Sequence, residues 1–310
     1  MAAPPAFRLT RRALLVGAAA AGAAGAVAAC GGSGGKNSTA SSDSGAPGGS
    51  STLIAFFPQQ GGALRAGIPQ RLVFGLGAAD GSLAAAGPAE LSFTVRSAPG
   101  ARTSAAQVVK AQRRSQGLPR GYYPVTVNMA SPGNYQATAV VGGKPANAAF
   151  RIDDPAAVTI PQVGDPMPRV DTPTTADPQG VDPICTRDPQ CPLHTVSLTT
   201  ALQQQKPIAL LMSTPAFCQV GICGPVLDVL LGQQAEFGGR VQMIHAEVYR
   251  SGEQAAKDLA NAQLAPALEA FRLPFEPCLV LAKPDGTIAE RLDNIFDAGE
   301  LKESLARLVS

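Results

Sequence analysis

The chain has 310 residues, 25 Lys and Arg against 23 Asp and Glu, a formal net charge of +2, and no Trp. This balance excludes the electrostatic footprint of a nucleic-acid binder: Lys110, Arg113, Arg114 and Arg120 come nearest to a basic cluster, and four charges over eleven positions read as a solvated face. The length holds two domains, and 33 Gly with 27 Pro suit β-rich structure with many turns and linkers.

At the N-terminus, Arg8, Arg11 and Arg12 precede an uncharged, Ala- and Gly-rich run from Ala13 to Ala29. Gly17, Gly22 and Gly25 make that run too weakly apolar for a good membrane span. Val27-Ala28-Ala29-Cys30 resembles a lipobox, and Thr10-Arg11-Arg12-Ala13-Leu14-Leu15 resembles a twin-arginine export signal. The resemblance implies an export signal over 1–29, cleavage before Cys30, and lipidation of Cys30. The Gly- and Ser-rich tract over 30–52 then serves as a flexible tether. This places the protein on the extracytoplasmic face of a membrane. Oxidising conditions there make close cysteine pairs candidate disulfides.

Residues 53–154 carry short β-like signals at roughly ten-residue spacing. Leu91, Phe93 and Val95 alternate on one face. Tyr123 to Val127 and Tyr135 to Val141 flank the turn signal Ser131-Pro132-Gly133-Asn134. The pattern predicts an antiparallel β-sandwich. Gly121-Tyr-Tyr-Pro-Val-Thr-Val followed by Pro132-Gly133-Asn134-Tyr135 resembles bacterial immunoglobulin-like modules. No catalytic constellation falls here, so a spacer or partner-binding role is expected. Residues 155–180 carry little periodicity and many prolines, and read as a semi-rigid linker.

From Val181 the pattern is α/β. A short helix over 197–203 precedes Pro207-Ile-Ala-Leu-Leu-Met, a continuous apolar run typical of a buried central strand. A helix from Pro225, a strand over 241–249 and a long helical stretch over 253–271 broken near Pro266 follow. The chain then reads as a strand from Cys278, a Lys283-Pro-Asp-Gly hairpin into a strand over 287–292, and a closing amphipathic helix over 300–309.

With Phe217-Cys218 and Cys223-Gly224-Pro225 after the first of these strands, residues 181–310 resemble the thioredoxin fold. Phe275-Glu276-Pro277 stands where that family has its cis-proline loop. The resemblance implies a thiol–disulfide oxidoreductase without cofactor or metal. Cys218 attacks, Cys223 resolves, and Pro277 shapes a groove for an extended peptide. The partners are exported protein thiols and a membrane electron donor.

The spacing departs from the family's Cys-x2-Cys. Five residues apart on a regular helix, two Cα atoms are about 8.6 Å apart, beyond the disulfide limit of about 7 Å. Either Gln219 to Ile222 forms a loop, which Gly221 makes plausible, or the first turn unwinds. Pro225 suits the first position of a helix, which places both cysteines before it. Met212 occupies the position of the family's buried acid, so Glu247 and Glu276 are the candidate proton carriers; the alternative is that both are ordinary solvated or hydrogen-bonded acids. Either carboxylate near the sulfurs raises a thiol's pKa, so a nucleophile less acidic than in strong oxidants is expected.

Cys185 and Cys191 read as a structural disulfide closing a short loop, or as a second redox pair, and Cys278 reads as a core thiol. Three other functions compete. One is a peroxiredoxin-like peroxidase, for which Glu276 stands where the activating Arg belongs. A second is a Sco-type copper handler using Cys218, Cys223 and either His245 or His194. The third is a non-catalytic thioredoxin-like interaction module. Two His residues and no phosphate loop leave hydrolase and nucleotide chemistry without support.

Overall fold

The structure, a computed structural model, describes residues 52–58, 62–78, 82–84, 86–98 and 105–310. The expected export signal, Cys30 and all but the end of the tether lie outside the described residues. No helix among the described residues is long and apolar enough to cross a membrane.

The first domain is a sandwich of two antiparallel sheets. β1 (Thr52–Ala55), β2 (Pro69–Gly77) and β5 (Tyr123–Asn128) form one, in the order β1-β2-β5. β3 (Glu90–Ser97), β4 (Gln107–Gln112), β6 (Gly133–Val141) and β7 (Lys144–Ile152) form the other, in the order β4-β3-β6-β7. Period-2 alternation drives the packing. Leu91, Phe93 and Val95 of β3 face the core, while Ser92 and Arg96 face water. Phe57 meets Phe74 and Phe150 edge-on, at 5.4 and 5.7 Å between ring centroids, and so joins the two sheets. The turn around Ser131 carries the chain from one sheet to the other, and the Tyr135 hydroxyl pins it by donating to the Ser131 carbonyl at 2.8 Å. Gly142 and Gly143 close the β6–β7 hairpin with φ of 58° and 77°, the left-handed pair that a tight hairpin turn requires.

The second domain has a thioredoxin-like fold. β8 (Ile208–Met212), β9 (Gln242–Ala246), β10 (Cys278–Ala282) and β11 (Ile288–Asp293) form one sheet in the order β11-β10-β8-β9. β8 and β9 are parallel, and β10 and β11 run antiparallel to their neighbours. Every residue of β8 is buried, because helices cover both faces of the sheet. On one face Ala209 and Leu211 pack with α2 (Cys223–Gly232) and α6 (Ala298–Leu308) through Leu227, Leu230, Leu301 and Leu305. On the other, Leu210 and Met212 pack with α1 (Leu198–Gln203) and with the two helices that follow β9. α3 (Gln234–Phe237) extends α2, and α4 (Gly252–Lys257) and α5 (Pro266–Phe271) follow β9.

Three expectations are corrected. The helical stretch over 253–271 is two short helices: a 3-10 turn at Leu259–Asn261 interrupts it, and Pro266, lacking an N–H, starts α5 afresh. β9 ends at Ala246, so Glu247 lies beyond the strand. The segment 155–180, expected as a semi-rigid linker, is packed on the second domain over part of its length. Ile160 and Met167 are buried in the second domain's core, and backbone bonds join Gly164 and Asp165 to Ile288 and Met167 to Gly286. The segment thereby pairs with the start of β11, an edge strand whose unpaired backbone groups need partners.

The two domains meet at a buried ion pair. Arg71 of β2 grips Glu300 of α6 with two bonds of 2.7 and 2.8 Å, and also donates to the Asp293 and Ile295 carbonyls. Tyr122 donates to Glu300 and accepts from the Asp297 backbone N–H at 2.7 Å, and its ring packs in the second domain's core. Burial pushes the Glu300 carboxyl up, but the Arg71 charge and hydrogen bonds outweigh it and hold the group below its ordinary 4.5. Such a lowered carboxylate stabilises above the unfolded group's titration and loses that contribution as pH falls through the folded value. Arg71→Ala leaves a buried carboxylate unpaired and should cost about 3–5 kcal/mol in urea unfolding at neutral pH. The double variant Arg71→Met/Glu300→Leu should recover most of that loss, and its stability should fall less than the wild type's below pH ~4.5.

Candidate functional site

The parallel strands β8 and β9 end side by side, and two thiol clusters gather around that end. In the first, the chain leaves β8 through Ser213 and Thr214, runs to Cys218, and turns through Gly221 into α2. Gly221 takes φ of 64°, and its N–H bonds the Cys218 carbonyl at 3.2 Å, closing a tight turn. α2 begins at Cys223, two residues before the proline expected to start it. Pro225 is then the third helical residue, where its missing N–H is still one that the helix leaves unpaired. Cys218 therefore lies before the helix and Cys223 on its first turn.

The two sulfurs sit in different environments. Cys218 is half-buried and Cys223 fully buried. Cys218 Sγ accepts the Cys223 backbone N–H at 3.2 Å. A hydrogen bond from the Cys223 thiol, with further bonds from backbone N–H groups of residues 220, 222 and 223, outweighs burial and lowers the Cys218 thiol to about 6. Burial, the hydrogen bond to Cys218, its charge, and that of Glu276 push Cys223 up, against a bond from the Thr214 backbone. One thiol is thus ionised at neutral pH and its neighbour keeps its proton. Glu276 joins Pro277 through a cis bond, and Pro277 is buried at the head of β10, its carbonyl accepting from Asn294 N–H at 2.8 Å.

Glu247 has another task. Its buried carboxylate accepts from the Thr186 N–H at 2.9 Å and the Thr186 hydroxyl at 2.8 Å, and from the Val248 N–H. Thr186 Oγ1 in turn accepts from the Ala216 N–H at 3.1 Å. Glu247 thereby ties the loop carrying Cys185 to the loop carrying Cys218, and its oxygens are occupied in doing so. Cys278 is fully buried, as a core thiol must be, and donates to Asp293 at 3.3 Å; burial pushes it well up.

The second cluster joins Cys185, Cys191, His194 and His245, all buried, with one ligand-type atom of each within 4.8 Å of the others. Both cysteines are free thiols, where the sequence suggested a disulfide. Of the two histidines offered for the copper alternative, His245 turns its Nδ1 to Cys185, Cys191 and His194, and His194 turns its Nε2 to Cys191 and His245. The backbone sets this up, since the His245 N–H bonds the Leu193 carbonyl at 3.1 Å and draws the 191–194 segment onto the open edge of β9. The sequence paired Cys185 with Cys191 but did not join either histidine to them. The Cys-x5-Cys-x2-His spacing was the available signal, but the fourth member lies fifty-one residues on, and only strand pairing brings it in.

The asymmetry of the first cluster predicts the pH dependence of alkylation. The rate of Cys218 modification by iodoacetamide, followed by peptide mass mapping, should rise through an inflection at pH ~6. In Cys223→Ala the inflection should move up towards the ordinary thiol value of 9.0, because the strongest hydrogen bond to the thiolate is gone. Glu247→Gln should leave the inflection in place while loosening the loop, seen as faster hydrogen exchange at Thr186 and Ala216.

No protein-family model matches the chain, and no curated protein matches it significantly in sequence. Among solved structures it is similar to the C-terminal domain of a candidate thiol-disulfide oxidoreductase from Bacteroides thetaiotaomicron, at 11% identity over 48% of this chain and 96% of that one, with a TM-score of 0.33. The thioredoxin domain of a thiol-disulfide oxidoreductase from Bacteroides vulgatus aligns at 13% identity over 48% of this chain and 99% of that one, TM-score 0.32. A superoxide reductase (neelaredoxin) from Ignicoccus hospitalis aligns at 11% identity over 34% of this chain and 79% of that one, TM-score 0.22.

Proposed function

We propose that the protein is a thiol–disulfide oxidoreductase working through Cys218 and Cys223, held on the extracytoplasmic face of a membrane by acylated Cys30. The observation that carries the reading is the unequal thiol pair: Cys218 lowered to about 6 and half-buried, Cys223 raised and fully buried. An attacking thiol works best with a pKa near ambient pH, and a resolving thiol must wait its turn. The Cys218 thiolate attacks one sulfur of a partner disulfide, that S–S bond breaks, and the departing partner sulfur takes a proton. Cys223 then gives up its proton and attacks Cys218 Sγ, releasing the second partner thiol. The partner disulfide is reduced to two thiols, and Cys218 and Cys223 are oxidised to a disulfide; a membrane electron donor restores them.

Glu276, whose charge is felt at Cys223, is the proton acceptor in the resolving step. Val220, 60% exposed within the loop between the cysteines, offers apolar contact to an extended peptide laid along Pro277. The sandwich, read as immunoglobulin-like, spaces this site from the membrane.

A thiol at about 6 lies between thioredoxin's ~7 and the ~3.5 of DsbA, so a potential between about −270 and −120 mV is expected for the Cys218–Cys223 couple. Glutathione redox titration with thiol alkylation checks it. Cys223→Ser should accumulate mixed disulfides with exported proteins, and Cys218→Ser should not. A couple that stays oxidised below about −300 mV would instead mark a structural staple in an interaction module.

A further inference from the structure

We infer that Cys185, Cys191, His194 and His245 form a closed, tetrahedral zinc site, separate from the Cys218–Cys223 couple. Nothing in the proposed redox reaction uses these four side chains, yet they converge in the interior on one point.

The distances carry the inference. A tetrahedral ion bound at about 2.3 Å to sulfur and about 2.05 Å to nitrogen sets its ligands at about 3.6 Å from S to N and about 3.3 Å from N to N. Cys185 Sγ and Cys191 Sγ each lie 3.6 Å from His245 Nδ1. Cys191 Sγ lies 3.4 Å from His194 Nε2, and the two imidazole nitrogens are 3.2 Å apart. Four of the six edges thus match those of a metal tetrahedron. A Cys185–Cys191 disulfide would bring the sulfurs to about 2.05 Å and remove both as ligands.

The hydrogen bonding agrees. His245 Nε2 lies 2.9 Å from the Ser213 hydroxyl and 3.1 Å from the Ser213 carbonyl oxygen; the carbonyl can only accept and the hydroxyl can accept as well, so a proton on Nε2 satisfies both contacts and leaves the Nδ1 lone pair turned inward. A ligating histidine that donates its other N–H to a carbonyl is the usual outer arrangement of a zinc site. His194 Nδ1 is buried with no hydrogen-bond partner among the described residues. It is left so whether Nε2 binds a metal or donates to His245, so it favours neither state. Two thiolates and two imidazoles in a tetrahedron select Zn(II), and four protein ligands leave no open position for chemistry. The ion would lock the 185–194 segment to the ends of β8 and β9. Ser213, which orients His245, is followed by Thr214, whose backbone bonds Cys223.

The test uses the purified full chain, reduced, incubated with Zn(II) and desalted, with metal measured by mass spectrometry. About one zinc per chain is expected, and the same in Cys218→Ser/Cys223→Ser. Cys191→Ser and His245→Ala should retain none. Cobalt(II) in place of zinc should give the visible bands of a tetrahedral ion and a thiolate charge-transfer band of two-sulfur intensity. Should the loss variants not fold, His194→Cys decides: it should keep one cobalt with the charge-transfer band raised by about half. Reduced wild-type chain that holds no stoichiometric zinc or tetrahedral cobalt overturns the proposal. So does metal lost with Cys218 and Cys223 but kept in Cys191→Ser, which would place the ion at the redox pair.

Discussion

The parallel pairing of β8 with β9 is the constraint on which both thiol clusters depend. It brings Leu211 level with His245 and Met212 level with Ala246, so the two chains leave the sheet at the same height. Ser213 and Thr214 then point two ways. The Ser213 carbonyl fixes His245, and the Thr214 backbone reaches Cys223. A shift of one residue would turn His245 to the other face of the sheet and separate it from Cys185 and Cys191. Burial of β8 by helices on both faces holds the register against that shift.

Around this frame the two thiol pairs are kept distinct by environment. Cys218 draws backbone N–H groups at the start of α2 and is partly open to solvent, which suits exchange with another protein. Cys185 and Cys191 are enclosed with two imidazoles and face one another's ligand atoms. Glu247 bridges the two loops through Thr186 without entering either cluster. Its burial is tolerable because three donors satisfy it.

The sandwich and the thioredoxin-like domain are joined by Arg71, Tyr122 and Glu300, a junction whose charged groups are nearly fully desolvated. Such a pair contributes little net stability against apolar replacements, but an isolated member is costly, so it favours one relative placement of the domains. The segment 155–180 reinforces this by pairing with the start of β11. The Cys218–Cys223 pair is therefore carried on a body that includes the sandwich.

The sequence by itself determined the fold class and most elements. Alternation in β3 and the unbroken apolar run of β8 are local signals, set by which face or faces each strand buries. The Cys218 turn was legible too, because a disulfide between cysteines five apart does not fit a regular helix and Gly221 supplies the left-handed turn. The tertiary structure decided what local pattern does not encode. Glu247 became a loop clamp because Thr186, sixty-one residues earlier, folds against it. Cys185 and Cys191 lie with His194 and His245 because the 185–194 segment docks on the free edge of β9. Sequence spacing measures distance along the chain, while ligand sets and clamps depend on distance through space, which strand pairing and loop docking supply here.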